Sequence, residues 1–220
     1  MRTDELIQRL AEDVGPVRRL RPVTVRALGW LVLAAASLGV VMMMMGVRRD
    51  LGDSIDRADF ALEAVLLIVT ALSAAIGALM ASVPGAERAT LLRWLPIATA
   101  AASVLWAVGE LVVAAMAGAP IGRLAFSWHC VYKTASVAAV PSIVLFVMAR
   151  RAAPLRAGWV GLLSLLATAS VGVLGANIIC PNDRPVHMLL WHVAPLMLFA
   201  GVGAALGSWL LRWPASDRRP

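Results

Sequence analysis

The chain has 220 residues, of which 60% are hydrophobic and only 15% are charged, and its mean hydropathy is +0.81. Soluble domains average about 45–50% apolar residues, so this composition excludes an ordinary soluble domain and predicts an all-α polytopic membrane protein. The net charge of +7 comes from nineteen Arg and one Lys. The arginines cluster outside the apolar runs, which favours a membrane topology signal over nucleic-acid binding.

The N-terminal segment, residues 1–22, contains no apolar stretch of the kind found in a cleaved signal peptide. Residues 3–14, TDELIQRLAEDV, predict an amphipathic helix, because Thr3 can cap it and acidic residues such as Asp4 suit the positive end of the helix dipole. Such a helix either lies on the bilayer surface or docks in the groove of a partner protein, and its acidic flank favours docking. Its apolar stripe consists of Leu6, Ile7, Leu10 and Val14.

Six apolar runs follow, each long enough to cross the roughly 30 Å hydrocarbon core of a bilayer as a helix. Short breaks rich in Gly, Pro and charge separate them. The sequence therefore predicts a six-helix transmembrane bundle over residues 23–213, followed by a short cytoplasmic tail at 214–220. The predicted spans are residues 25–46, 60–83, 91–117, 125–149, 157–179 and 187–211.

The arginines predict the orientation of the bundle, because Lys and Arg are enriched in the cytoplasmic loops of membrane proteins. Fourteen arginines lie on the side of the N-terminus, and five lie on the opposite side. We therefore expect both termini in the cytoplasm.

The charged side chains in the outer halves of the predicted spans are Glu63, Glu110 and Lys133. A charge at mid-helix costs at least about 2.5 kcal/mol on insertion scales, so these groups should face the bundle or water. An ion pair between Lys133 and Glu110 would satisfy this requirement. The alternative is that each side chain extends to the interface.

Both cysteines lie near the same outer ends, Cys130 at the start of the fourth span and Cys180 at the end of the fifth. On a helix, Lys133 shares a face with Cys130 and with His129, and a nearby positive charge increases the thiolate content of a cysteine. A thiolate at this depth can form a disulfide, be oxidised or bind a soft metal. The alternative is that the cysteines are small apolar fillers of the bundle.

A metal site would need three or four converging ligands, which Cys130, Cys180 and His187 could supply with one further histidine. However, His187 and His192 are five residues apart and are not expected on one helical face. His129, His187 and His192 are thus candidate metal ligands or supports of the ligands, and no cofactor is expected beyond a transient heavy-metal or transition-metal ion. A sulfur separation of about 2 Å would indicate a disulfide, whereas roughly 3.5–4 Å with His187 nearby would indicate a metal site.

Sequence motifs of enzymes are absent, including Gly-x-Ser-x-Gly, His-Glu-x-x-His and a Gly-rich phosphate loop. A small metal or solute transporter that uses the outer Cys, His and Glu residues is an alternative function. It predicts a polar path to the cytoplasmic ends of the spans, which are almost wholly apolar. A membrane thiol oxidoreductase would need a bound quinone or a second thiol pair, and neither is indicated.

Three segments together resemble the NrsF-like family, the negative regulators of sigma F. They are DELIQRLAEDVGPVRRLRP ahead of the spans, WHCVYKTASVAAVP with the first cysteine, and NIICPNDRPVHMLLWHVAP with the second. The resemblance covers nearly the whole chain and implies an anti-sigma factor of the bacterial inner membrane that does not itself bind nucleic acid. It implies that residues 1–22 sequester an extracytoplasmic-function sigma factor, and that Cys130 and Cys180 sense metal or oxidative stress.

Overall fold

The computed structural model describes residues 3–12, 20–83, 90–123 and 127–212 of the chain, and no strand occurs within those ranges. The last two helices are joined by a π-helical turn at Leu189–Val193, so they form one continuous segment. The helices are α1 (Thr3–Glu12), α2 (Val23–Met45), α3 (Leu51–Ile55), α4 (Ala58–Ala81), α5 (Thr90–Met116), α6 (Trp128–Arg150), α7 (Ala157–Ile179), α8 (Pro185–Met188) and α9 (Ala194–Leu210).

Six helical segments are long and apolar enough to cross a membrane, which confirms the six predicted spans. Their ends fall within three residues of the predicted ends. Hydropathy sets these lengths, because a helix needs about 20 apolar residues to cross the bilayer. The segments are α2, α4, α5 from Arg93, α6, α7, and the continuous stretch Pro185–Leu210.

Helix α7 is the centre of the bundle and is the most buried of the six spans. It packs against α4, α6 and α9, while α5 packs on the outside of α4 and α2 packs on α6. The two helices that carry the cysteines, α6 and α7, are therefore direct neighbours. Helix α2, which follows the N-terminal segment, reaches α7 mainly through α6.

The crossing of α7 and α9 depends on facing glycines. Gly161 on α7 lies against the backbone of Gly203 and Gly207 on α9, and a Cβ added at any of the three would lie under 3.0 Å from backbone atoms of the other helix. Small residues allow transmembrane helices to approach this closely. Because lipid provides no hydrophobic driving force between helices, the close dispersion contacts stabilise their association.

The core between the middle of the bundle and the N-terminal end of α2 is apolar, and its largest fully buried side chains include Trp30, Leu145 and Leu163. Buried hydroxyls bond to carbonyls of their own helices, as Ser164 does to that of Val160 at 2.7 Å, and Thr70 and Ser142 also bond to hydroxyls of neighbouring helices. Among the described residues, the cavities beside this core are lined mainly by apolar side chains. The transporter alternative is therefore not supported.

The predicted amphipathic helix is confirmed as α1 over Thr3–Glu12, and the last two residues of the prediction, 13 and 14, lie outside the described residues. The side chains that can be described on α1 are exposed, including that of Ile7, which is 60% accessible. Those of Leu6 and Leu10, together with residue Val14 and the predicted tail 214–220, lie outside the described part of the chain.

Candidate metal and thiol centre

The two cysteines meet at the end of the bundle where α6 begins and α7 ends, which we call the cysteine end. The sulfur atoms of Cys130 and Cys180 are 3.4 Å apart, and both residues are buried and free of disulfide. This separation exceeds the roughly 2.05 Å of a disulfide bond. It lies just below the range expected for two thiolates that share one metal ion.

Local sequence places each sulfur. Cys180 directly follows the last residue of α7 and is extended, with φ −94° and ψ 121°, because the following Pro181 disfavours helical backbone at the residue before it. Cys130 lies in the first turn of α6, where the hydroxyl of Ser127 approaches its sulfur at 3.6 Å. A helix start and a helix end therefore bring two thiols together that are 50 residues apart in the chain.

His187 and His192 complete a compact cluster with the two cysteines. The Nε2 atom of His187 is 3.3 Å from the sulfur of Cys130 and 3.5 Å from that of Cys180. One ligand atom from each of the four residues lies within 4.8 Å of the other three. All four residues are at least 93% buried.

The expectation that His187 and His192 lie on different helical faces is wrong, because the chain between them is not an ordinary α-helix. Leu189–Val193 forms a π turn, and the backbone N–H of Ala194 bonds to the carbonyl of Leu189, five residues earlier. Such a turn stacks residues five apart, so the two imidazole centres are only 5.4 Å apart. Pro195 lacks a backbone N–H and its ring would clash with an α-helical carbonyl, which favours the wider turn.

Asn177 orients His192, and the sequence analysis did not identify it as a functional residue. The Nδ1–H of His192 donates to the side-chain oxygen of Asn177. The other ring nitrogen, Nε2, is buried, has no hydrogen-bond partner and faces the Cys180 thiol. The carboxyl group of Glu63 lies beside Asn177, on the same small cavity. The only feature of the sequence that could have identified Asn177 is that its amide lies one turn before a cysteine in an apolar span.

The carboxyl groups of Glu63 and Glu110 border a small cavity of about 20 Å³ beside Asn177, which is room for about one water molecule. The ion pair between Lys133 and Glu110, one of the two alternatives for these charges, does not occur among the salt bridges of the described residues. Lys133 is half-buried one turn from Cys130, and its charge acts on that thiol. His129 is exposed and lies outside the cluster.

A network of ion pairs holds the loop that carries Cys180. The Arg48 guanidinium, whose side chain is 2% exposed, binds Asp183 in that loop at 2.7 Å and Asp50 at 2.8 Å. Arg57 also binds Asp183 at 2.8 Å. Sequence reasoning counted these arginines only as loop charges, because pairing between distant loops has no local signal.

The ion pairs shift the protonation of the groups that they join. The Arg48 guanidinium lowers the pKa of the Asp50 carboxyl to about 2 and holds the pKa of Asp183 below its usual range. The hydrogen bonds to Asp50 and Asp183 in turn raise the pKa of Arg48. Both carboxylates are thus ionised at neutral pH, and they fix the loop between α7 and α8 against the loop between α2 and α4.

This arrangement supports two kinds of chemistry. Two sulfurs and two imidazole nitrogens are a ligand set for a borderline-soft metal ion. Two thiols 3.4 Å apart can also be oxidised to a disulfide after a small movement. Either event changes how α6 is attached to α7 and α8.

The family described as "Negative regulator of sigma F" matches residues 10–213 of the chain. A protein named anti-sigma-F factor NrsF from Caulobacter vibrioides is 28% identical over 231 residues, which cover 97% of this chain and all of that protein. A probable anti-sigma-F factor NrsF from Azospira oryzae is 24% identical over 221 residues, again 97% of this chain and all of the relative. No solved structure is significantly similar to the chain.

Proposed function

Because the chain belongs to the NrsF family, the negative regulators of sigma F, we propose that it is a membrane-bound anti-sigma factor for an extracytoplasmic-function sigma factor. Residues 1–22 hold the sigma factor at the membrane. Reaction of Cys130 and Cys180 with a metal or an oxidant releases it. The observation that carries the sensing role is the meeting of these two buried thiols at 3.4 Å.

Helix α1 supports the docking role, because those of its side chains that the structure describes are exposed to solvent. Ile7, on the predicted apolar stripe, is 60% accessible, and Asp4 and Glu12 are exposed as well. A helix with an accessible apolar stripe can bind in the groove of a partner protein. The names of both relatives also give a sigma factor as the partner of those proteins.

Signal transfer from the thiols to the N-terminal segment is supported by the contact of α6 with α2. Pro141 has no backbone N–H, so the carbonyl of Val137 lacks its partner within α6, and the Ser37 hydroxyl on α2 donates to it at 3.0 Å. Trp30 Nε1 donates to the carbonyl of Pro141 at 3.1 Å, and Arg26 donates to that of Met148 at 2.5 Å. A displacement of α6 at Cys130 therefore reaches the helix that directly follows the docking segment.

The proposed location is the bacterial inner membrane, with both termini in the cytoplasm and the cysteine end toward the periplasm. The distribution of fourteen against five arginines supports this orientation. At the cysteine end, Arg48 and Arg57 are also paired with aspartates. An oxidising compartment on that side would suit a sensor built from two thiols.

Capture of the sigma factor tests the docking role. The full chain and a chain that lacks residues 1–22 are each solubilised in detergent and used to co-purify an extracytoplasmic-function sigma factor. The full chain is expected to retain it and the truncated chain to lose it. Equal capture by both chains would disprove docking through the N-terminal segment.

A sigma-dependent reporter tests the sensing role. Cys130→Ser and Cys180→Ser are expected to respond weakly or not at all to a thiol-reactive metal or an oxidant. His129→Gln is the matched control, because this histidine neighbours Cys130 but lies outside the cluster. A full response from both serine variants would remove the thiols from the mechanism.

A further inference from the structure

We propose that Cys130, Cys180, His187 and His192 form one tetrahedral site that holds a resident zinc(II) ion in the resting protein. The sensing role proposed above requires only two reactive thiols, whereas this inference names the complete ligand set and the ion. It rests on the proposed function only for its regulatory consequence. That consequence is that α6 separates from α7 when the zinc ion is displaced or the two thiols are oxidised.

The distances in the cluster fit four ligands around one ion. Two thiolates at 2.3 Å from zinc in a tetrahedron are about 3.8 Å apart, and a thiolate and an imidazole nitrogen are about 3.5 Å apart. The sulfurs of Cys130 and Cys180 are 3.4 Å apart, and His187 Nε2 lies 3.3 and 3.5 Å from them. The fourth ligand atom lies within 4.8 Å of the other three, so adjustments of a few tenths of an ångström to about one ångström complete the tetrahedron.

The orientation of His192 is independent evidence for a ligand. Its side chain is completely buried, and its Nε2 faces the thiols without a hydrogen-bond partner. A buried nitrogen without a partner destabilises the fold, and a metal ion supplies the partner. The bond from Nδ1–H to Asn177 selects the tautomer that leaves the Nε2 lone pair free. Metal-bound histidines almost always have such a support.

The charges of the site balance. Zinc binding displaces one proton from each thiol to solvent, and the two thiolates then neutralise the ion, so the filled site is neutral and suits a buried position.

The ligand types select zinc. Two sulfurs and two imidazole nitrogens in a tetrahedron are typical of zinc, whereas magnesium and calcium prefer oxygen ligands. In the tetrahedral arrangement all four positions are taken by side chains, as in structural zinc sites, and no position remains for a reactive water. The site would therefore stabilise the bundle rather than catalyse a reaction.

Metal analysis of the purified full chain in detergent tests the proposal. Elemental analysis is expected to find about one zinc per chain. Replacement of zinc by cobalt(II) should give the visible spectrum of a tetrahedral site, with sulfur-to-cobalt charge transfer. Less than half an equivalent of zinc after incubation with the metal and dialysis, or a six-coordinate cobalt spectrum, would overturn the proposal.

Variants test the ligand set. Cys130→Ser and Cys180→Ser should lose stoichiometric zinc, and His187→Gln and His192→Gln should bind it at least tenfold more weakly, as measured by competition with a chelator. His129→Gln should bind zinc as the unmodified chain does. An affinity of His192→Gln equal to that of the unmodified chain would exclude the fourth ligand.

Protection of the two thiols from alkylation is measured on the unmodified chain. It therefore tests the zinc site even if a substitution unfolds the protein. Zinc is expected to slow alkylation of both cysteines in the unmodified chain at least tenfold, and a chelator should restore the rate. Equal rates with and without zinc would overturn the site. A chain that lacks residues 1–22 should still bind zinc, so failure of the sigma-factor capture and failure of the zinc site are separate results.

Discussion

His192 donates its Nδ1–H to the side-chain oxygen of Asn177, and this hydrogen bond decides which nitrogen of the imidazole faces the two thiols. The bond joins the end of α7 to the π turn that precedes α9. It therefore positions a side chain of the last span against a cysteine of the fifth.

Asn177→Ala should weaken zinc binding by about 10–100-fold, which is the usual cost of removing the support of a metal ligand. Asn177→Asp keeps an acceptor oxygen for His192 and should retain most of the affinity. Chelator competition and the cobalt spectrum measure both. Asn182→Ala is the control, since this exposed amide accepts from Arg184 rather than from His192. A loss of affinity in Asn177→Asp as large as in the alanine variant would indicate a purely structural role.

Ile7→Asp should reduce sigma-factor capture at least tenfold, about 1.4 kcal/mol, because it places a charge on the apolar stripe of α1. Ile7 is 60% exposed, so the substitution removes no packing within the bundle. Gln8→Asp introduces the same charge at the neighbouring exposed position, off the stripe, and should capture the sigma factor normally. Equal losses in the two variants would point to net charge instead of a docking face.

Ser37→Ala should weaken the link between α2 and α6, because it leaves the Val137 carbonyl without the hydroxyl that now donates to it. Such hydrogen bonds between transmembrane helices contribute about 0.6 kcal/mol and at most about 1.7. We expect a changed reporter response to stress with little change in folding. Ser103→Ala is the control, since this buried hydroxyl bonds within its own helix. Identical reporter responses in both variants would exclude this contact from signal transfer.

Asp183→Asn should loosen the loop that carries Cys180, because it weakens the charged hydrogen bonds to Arg48 and Arg57. Such bonds contribute about 1.5–3 kcal/mol. Faster alkylation of Cys180 and easier unfolding in detergent are the expected results. Asp53→Asn, at an exposed position in the first loop, should change neither measurement.

The same ion pairs predict a loss of stability in acid. The pKa of Asp50 is lowered in the folded chain to about 2 and that of Asp183 is also lowered. The contribution of these two carboxylates to the free energy of unfolding is therefore complete above about pH 4. It is lost as the pH falls through their pKa values in the folded chain. Unfolding experiments between about pH 4 and pH 2 should show this loss, and Asp183→Asn should reduce it. An unchanged pH profile in that variant would contradict the proposed linkage.

Gly203→Ala should destabilise the bundle by about 1–3 kcal/mol, the usual cost of overpacking, because the new methyl group would collide with the backbone of Gly161. Gly201→Ala lies two residues away on the same helix and meets nothing within 4 Å. Unfolding in a denaturing detergent measures both variants. Similar stabilities would show that the α7–α9 crossing tolerates a wider separation.

The limits of sequence reasoning are clearest at the two histidines. The spans were predicted within three residues, because apolar length is a local property of the chain. The separation of His187 and His192 was predicted wrongly, because the rule for α-helical faces does not hold across a π turn. The sequence could not decide whether Glu110 pairs with Lys133, because depth in the membrane does not determine which face of a helix carries a charge.

The sequence by itself determined the membrane class, the six spans, the amphipathic N-terminal helix and the gathering of the cysteines and histidines at one end. Each follows from composition or from periodicity along one segment. Only the tertiary structure decided that Cys130 meets Cys180, that Asn177 orients His192 and that Arg48 binds Asp183. These contacts join residues that belong to different helices or loops, and their geometry depends on how α6, α7 and the last span pack around one another.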